Sequence, residues 1–196
     1  FKILWEYDID INNLKCPKSK TSPLEHNCSG KHAAFLATCK KLNWPIETYL
    51  KGDHPLQIEI FRIVSELLEI PTSEIKAERD DCGAPTLYLK LCEMSRLYSL
   101  LSSSENAELE QISRAMTTNP TLISDNNKFD TEIIKASHGQ VIGKGGAEGI
   151  QCLCKINEGI GLALKVEDGS KRAKHAVSLH LLKQLEWISD LRIQDI

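Results

Sequence analysis

Hydrophobic positions keep helical spacing as far as Ala136 and strand spacing after it. Lys31 to Leu42 runs without Gly or Pro and sets Ala34, Phe35 and Thr38 one turn from Lys31 and Cys39, which predicts a helix. Pro55 suits a first helical turn, and Leu56, Ile60, Ile63, Val64, Leu67 and Leu68 continue a second helix to Ile70, where Pro71-Thr72-Ser73 breaks it. Pro85 to Leu101 and Glu105 to Thr118 read as two more helices, the latter ended by Asn119-Pro120, and Phe129 to Ala136 as a short one. Gln140 to Ile142, Gly149 to Ile156 and Ile160 to Val166 then have strand length, with Glu158-Gly159 turning the last two into an antiparallel hairpin. Lys171 to Ile188 is an amphipathic closing helix on Ala173, Ala176, Val177, Leu181, Leu185 and Ile188. Helices, then consecutive strands, then a helix predict an α+β class with one antiparallel sheet.

The chain has 196 residues, 41% apolar and 26% charged, which suits one folded globular domain over residues 1–196 and excludes disorder or a collagen-like repeat. Twenty-four Lys and Arg face 27 Asp and Glu, a net charge of −3, so nothing marks a nucleic-acid surface. No apolar run approaches the roughly 18 residues of a membrane span. Seven cysteines are an odd number in a chain long enough to bury its own core, which points to a reducing cytoplasm. The chain opens on Phe1 and an aromatic amphipathic run to Tyr7, with no targeting signal; this reads as the middle of a longer protein and hence an incomplete domain.

Three segments hold more chemistry than packing requires. His26-Asn27-Cys28-Ser29-Gly30-Lys31-His32 gathers a thiol, a hydroxyl, an amine and two imidazoles at a helix start, where partial positive charge lowers the pKa of a thiol or amine. The plainer alternative has Asn27 or Ser29 capping the helix and Cys28 as a small buried residue. Asp80-Asp81-Cys82-Gly83-Ala84-Pro85 is either a capped turn opening a helix at Pro85 or one arm of a metal loop, which needs further ligands from elsewhere. Gly143-Lys144-Gly145-Gly146-Ala147-Glu148-Gly149 lies between strands and lacks the spacing of a phosphate loop. Its glycines leave backbone N–H groups beside a lysine, suited to a carboxylate or oxyanion, or else form a bulge with a solvated Lys144.

Other matches carry less. Ser73-Glu74-Ile75-Lys76 has the Ser-x-x-Lys spacing of serine acyl-transfer enzymes but reads as a helix cap. Cys152 and Cys154 share one strand face and read as core or surface partners rather than ligands. His138, His175 and His180 have no spaced partners, and Ser102 to Glu105 reads as a loop and cap.

Taken in order, the segments at 26–32, 80–85 and 143–149, with Phe129-Asp130-Thr131 and Leu164-Lys165-Val166-Glu167-Asp168-Gly169, resemble the L-asparaginase II family of the Rhizobium type. The resemblance implies a fold like that of the serine β-lactamases and glutaminases, with a helical region, an antiparallel sheet and a C-terminal helix. It implies hydrolysis of L-asparagine to L-aspartate and ammonia through a serine acyl-enzyme, in a cytoplasmic homodimer. Cys28, Lys31 and Cys82 match the family's zinc ligands, the lysine amine binding as the neutral base. Asp80 and His32 match residues that orient ligands or contact substrate. Lys144 matches a relay lysine on a Lys-Thr-Gly-like strand, with Gly145 in place of the Thr and Gly146 as the final Gly. The family's nucleophilic serine and its Ser-x-x-Lys partner belong to a segment preceding the one matched here, so the chain reads as a C-terminal portion. The alternative is a truncated, non-catalytic remnant that binds zinc.

Overall fold

The computed structural model describes residues 2–17 and 22–189. Compact packing divides the chain into two units, Phe1–Tyr88 and Leu89–Ile196. With eight helices and two antiparallel sheets among the described residues, the class is α+β, as the alternation of periods predicts.

The first unit opens with α1 (Lys2–Glu6), followed by 3-10 turns at Ile11–Asn13 and Pro23–Glu25 and by α2 (Ser29–Lys41). Then come α3 (Pro55–Leu68), a 3-10 turn at Thr72–Glu74, and a hairpin of β1 (Lys76–Arg79) and β2 (Pro85–Tyr88). Leu36, Ala33, Ala37 and Cys39 of α2 pack with Leu4, Ile9, Leu14, Cys16, Tyr49 and Leu56 into one core. At α3 the His54 side chain accepts the Leu56 amide and Pro55 fills the first turn, a start legible in the sequence.

The helix predicted from Pro85 is corrected: Pro85–Tyr88 is a strand, and the next helix begins six residues later. Pro85 takes the first strand position, opposite Arg79, where its missing N–H does least harm. Its partner Lys-Ala-Glu-Arg is almost wholly exposed, so no apolar alternation announces it. The expected cap at Ser73 is also corrected. That stretch is a 3-10 turn with no side-chain cap, and both Ser73 and Lys76 are exposed.

The second unit comprises α4 (Leu91–Ser102), α5 (Ala107–Thr118), α6 (Thr121–Ser124) and α7 (Phe129–Ala136), then β3 (Val141–Gly145), β4 (Ile150–Lys155), β5 (Ile160–Lys165) and α8 (Lys174–Gln184). The strands form one antiparallel sheet in the order β3-β4-β5, pairing Lys144 with Cys152, Gly145 with Gln151, and Cys154 with Gly161. Asn106, not the preceding serines, caps α5 by accepting the Leu109 amide. One sheet face lies directly under α4: a Cβ on Gly161 would fall 2.0 Å from the Ser95 carbonyl oxygen, so only glycine permits this approach. The other face carries Leu153 and Val141 against Ile133, Leu182, Trp187 and Ile188. The closing helix is shorter than predicted. Glu186 adopts φ 56° and the Trp187 amide bonds back to Leu182, which ends α8 and folds Trp187 and Ile188 into the core as non-helical chain.

Candidate functional site

Two segments of the first unit meet at the start of α2. Cys28 occupies the N-cap with no side-chain cap bond, so neither Asn27 nor Ser29 plays the expected capping part. His26 folds back over this turn: its Nδ1 accepts the Cys28 amide at 3.1 Å, and its carbonyl accepts the Ser29 amide at 2.9 Å. From the other side comes the β1–β2 turn, organised by Asp80. One carboxylate oxygen accepts the amides of Cys82 and Ala84, both at 2.9 Å, and the Asp80 carbonyl accepts the Gly83 amide at 2.8 Å. The other oxygen takes the Lys31 ammonium. This turn presents Cys82 to Cys28 and His26. The ligand atoms of His26, Cys28 and Cys82 all lie within 4.8 Å of one another, the one such group among the described residues.

Electrostatics sharpen the cluster. Burial raises the Asp80 carboxyl, but the hydrogen bonds from Lys31, Ala84 and Cys82 outweigh it and hold the group below its ordinary value. Burial, the Cys28 thiol and the Asp80 carboxylate push the Cys82 thiol up to about 12. Cys16, also raised chiefly by burial, stands behind Cys82 within hydrogen-bond reach of its thiol. Two thiols, an imidazole and an amine form the borderline-soft set that zinc takes, and a cation is what would draw the proton from Cys82. The donor set therefore fits a zinc ion.

His32, one residue beyond Lys31, is fully buried. Tyr49 Oη accepts the Lys15 amide at 2.9 Å and lies 2.6 Å from His32 Nδ1, so the tyrosine hydroxyl donates to that nitrogen. The imidazole proton is thereby assigned to Nε2, which has no partner. Burial, with the Lys31 charge, lowers the His32 pKa to about 4, so the ring is neutral and holds one unspent N–H donor.

In the second unit Lys144 is exposed on β3, the edge strand of its sheet. The expectation of free glycine amides beside it is corrected. Gly145 N–H donates to Asp130 Oδ2 at 2.7 Å and Gly146 N–H to the Ile150 carbonyl at 2.9 Å, so both are satisfied within the chain. Asp130 Oδ1 accepts Gln151 Nε2 at 2.7 Å, and Lys174 is buried beside them. A Cβ on Gly145 would meet Lys174 Nζ at 2.8 Å, Gln151 Oε1 at 3.2 Å and Asp130 Oδ2 at 3.4 Å. Position 145 takes glycine because three polar side chains occupy the space a Cβ would need.

The sequence profile of the L-asparaginase II family matches residues 1–196. The chain belongs to the L-asparaginase II family. No curated protein matches it. An asparaginase II chain has a small molecule for its substrate, and here no helix among the described residues is long and apolar enough to cross a membrane.

Of the residues singled out in this asparaginase II chain, the first unit assembles Cys28, Lys31, His32, Asp80 and Cys82, while Lys144, Gly145 and Gly146 lie together in the second. Cys152 and Cys154 are buried, with thiols pushed by burial up to about 11 and about 12, as core residues should be. Sequence reasoning placed His26 in the segment at the start of α2 but gave it no part among the metal-ligating groups, where the structure sets it beside Cys28 and Cys82. It missed Cys16 and Tyr49 because nothing in their spacing ties them to the cluster. Asp130 lay within a quoted motif, but only its hydrogen bond to Gly145 reveals its part.

Proposed function

We propose that this chain serves an L-asparagine amidohydrolase, in which a serine attacks the side-chain amide, ammonia leaves, and water hydrolyses the acyl-enzyme to L-aspartate. The match of the family profile along the whole chain carries this reading. Lys144 is the proton relay. It is an exposed amine on an edge strand whose next residue is fixed by a buried carboxylate, which suits a base that must keep its position while exchanging protons. Gly145 and Gly146, their amides held within the chain, line the substrate beside Lys144. His32 supplies its N–H donor, and Asp80 holds Lys31 and the turn that carries Cys82. Cys28, Lys31 and Cys82 bind zinc, which when bound contributes Lewis acidity and a cross-link between the two segments. The same reading includes a homodimer in the cytoplasm, a location supported by seven unpaired cysteines.

One observation favours a second reading. The sequence has a single Ser-x-x-Lys, Ser73 to Lys76, and it is exposed, which suits a chain that binds zinc but brings no nucleophile of its own. The two readings separate in an assay of ammonia release from L-asparagine by the zinc-loaded protein that carries this chain. Release that falls at least about 100-fold in Lys144→Met supports the first. Stoichiometric zinc with no release supports the second, and full activity in Lys144→Met removes the relay assignment.

A further inference from the structure

We propose that Glu148 is a specificity-determining residue that takes the α-ammonium group of the substrate amino acid beside Lys144. The inference rests on the amidohydrolase reading above and adds the feature by which an α-amino acid is told from an amide without an amine. Both residues belong to the second unit, at the turn between β3 and β4. The Gly146 amide donates to the Ile150 carbonyl at 2.9 Å and the Ile150 amide to the Ala147 carbonyl at 3.2 Å, so Glu148 and Gly149 form the tip. Their φ values of 55° and 72° give the pair of left-handed residues that so tight a hairpin needs. Asn, Asp or Gly meets that need at less cost, so the turn itself does not call for a glutamate.

The tip is seated on the loop after β5, and two glycines make the seat. A Cβ on Gly149 would meet Val166 Cβ at 2.9 Å and the Ser170 carbonyl oxygen at 3.1 Å, while the Val166 amide donates to the Gly149 carbonyl at 3.1 Å. In return, a Cβ on Gly169 would meet Glu148 Oε2 at 2.5 Å, so the glutamate side chain lies along the bare side of that glycine. The Leu164 to Gly169 motif thereby acquires a part: it holds the Glu148 carboxylate in place. That carboxylate is exposed and makes no hydrogen bond or ion pair among the described residues. Two nearby carboxylates are committed. Asp130 spends both oxygens on the Gly145 amide and Gln151, and Asp168 spends its own on the Ser170 amide and the Arg172 guanidinium. Between Lys144 and Glu148 stand Gly145, Gly146 and Ala147, so a single methyl is all the side chain that separates an amine from a carboxylate. Their Cα atoms are at most about 14 Å apart, a span that two long side chains and one small amino acid fill. L-Asparagine carries its α-ammonium at the end opposite the amide that the reaction cleaves. With Lys144 at the amide, the seated carboxylate of Glu148 meets that cation in a charge-assisted hydrogen bond, from which an amide lacking the ammonium gains nothing.

Succinamic acid, which is asparagine without its α-ammonium, isolates this contact. The zinc-loaded protein that carries this chain is expected to prefer L-asparagine over succinamate in kcat/KM for ammonia release. In Glu148→Gln, which keeps the size of the side chain, that preference should shrink at least about tenfold, through a raised KM for L-asparagine with succinamate changed less than about twofold. Glu148→Asp, which keeps the charge and suits the left-handed φ, should retain more of the preference, and Glu167→Gln in the neighbouring loop should retain all of it. Titration calorimetry with L-aspartate and succinate makes the same comparison without turnover. Wild type that treats L-asparagine and succinamate alike, or a Glu148→Gln protein that keeps the wild-type preference or loses both ligands in equal proportion, overturns the role of Glu148 alone. Wild type that releases ammonia from neither amide and binds neither acid overturns the amidohydrolase reading, and this inference with it.

Discussion

Two polar clusters organise this molecule, and they differ in how far they are closed off from solvent. Around Gly145, Asp130 accepts a backbone amide and a glutamine amide, with a lysine held beside it, and all three side chains are buried, Gln151 Oε1 alone being left without a partner. Around Cys28, Asp80 is equally well bonded, but it is part-exposed and surrounds itself with unspent groups: two thiols, the His26 imidazole and the unpartnered Nε2 of His32. A closed cluster stabilises, because any deletion leaves buried partners orphaned. An open one is available to a ligand. The contrast separates scaffold from site without appeal to residue type, since each has an aspartate and a lysine at its centre.

The largest effect should come from deleting the two aspartates in turn. Asp130→Ala strands the Gly145 amide, Gln151 Nε2 and a buried Lys174 charge, an expected loss of about 3–5 kcal/mol in urea unfolding. Asp80→Ala frees a lysine that water can solvate and loosens one turn, for roughly 1–2 kcal/mol in metal-free protein. Equal losses, or a larger one at Asp80, would erase the distinction.

Next in size is a pH effect centred on the open cluster, with a contribution of the same sign from His175 of the second unit, lowered chiefly by burial. His32 is buried as the neutral ring with its pKa lowered to about 4 by burial and by Lys31, with His26 adding to the lowering and Asp80 opposing it. The unfolded chain takes up that proton near pH 6.5, so between about 6.5 and 4 the unfolded state holds more protons and stability rises with pH. Stability is complete above about 6.5 and falls by about 2–3 kcal/mol as pH drops towards 4. Urea unfolding at pH 7 and 4.5 with a chelator present should show a clearly smaller drop in His32→Gln than in wild type, His175 supplying the remainder. The same drop in both would place its origin elsewhere.

Gly145→Ala tests how tightly the closed cluster is packed. The added Cβ first meets the end of Lys174, a flexible chain that is nevertheless buried, so a cost of about 1–2 kcal/mol is expected. A neutral substitution would show that Lys174 has room to withdraw.

The sequence reveals these regions unevenly. Helices with a buried stripe, such as α2 and α7, are legible because their burial follows the helical period, and the strands β4 and β5 because they are short apolar runs joined by a Glu-Gly turn, their burial continuous rather than alternating. The hairpin β1–β2 is not, since Lys76 to Arg79 is exposed and charged and its pairing is set by the Asp80 turn. In the open cluster, Cys28 and Cys82 stand out as reactive types in unusual company. The closed cluster is harder to read: its partners are 15 and 21 residues apart, and what unites them is the empty side of a glycine.

The smallest stability effect belongs to Lys144, and it bears most directly on what the closed cluster is for. Its side chain is exposed, and its amine reaches only the neighbouring Gly145 carbonyl, whereas the backbone one residue on is gripped by Asp130. Lys144→Gln should therefore change unfolding free energy by no more than about 0.5 kcal/mol, the range of surface substitutions away from buried features. Such a result would show that the buried aspartate steadies the strand and leaves the lysine free to act, a division expected where one residue is precisely held and its side chain must exchange protons. A loss above about 1 kcal/mol would instead make Lys144 part of the structural cluster, and the contrast between a finished scaffold and the working group it carries would fail at the residue where it matters most.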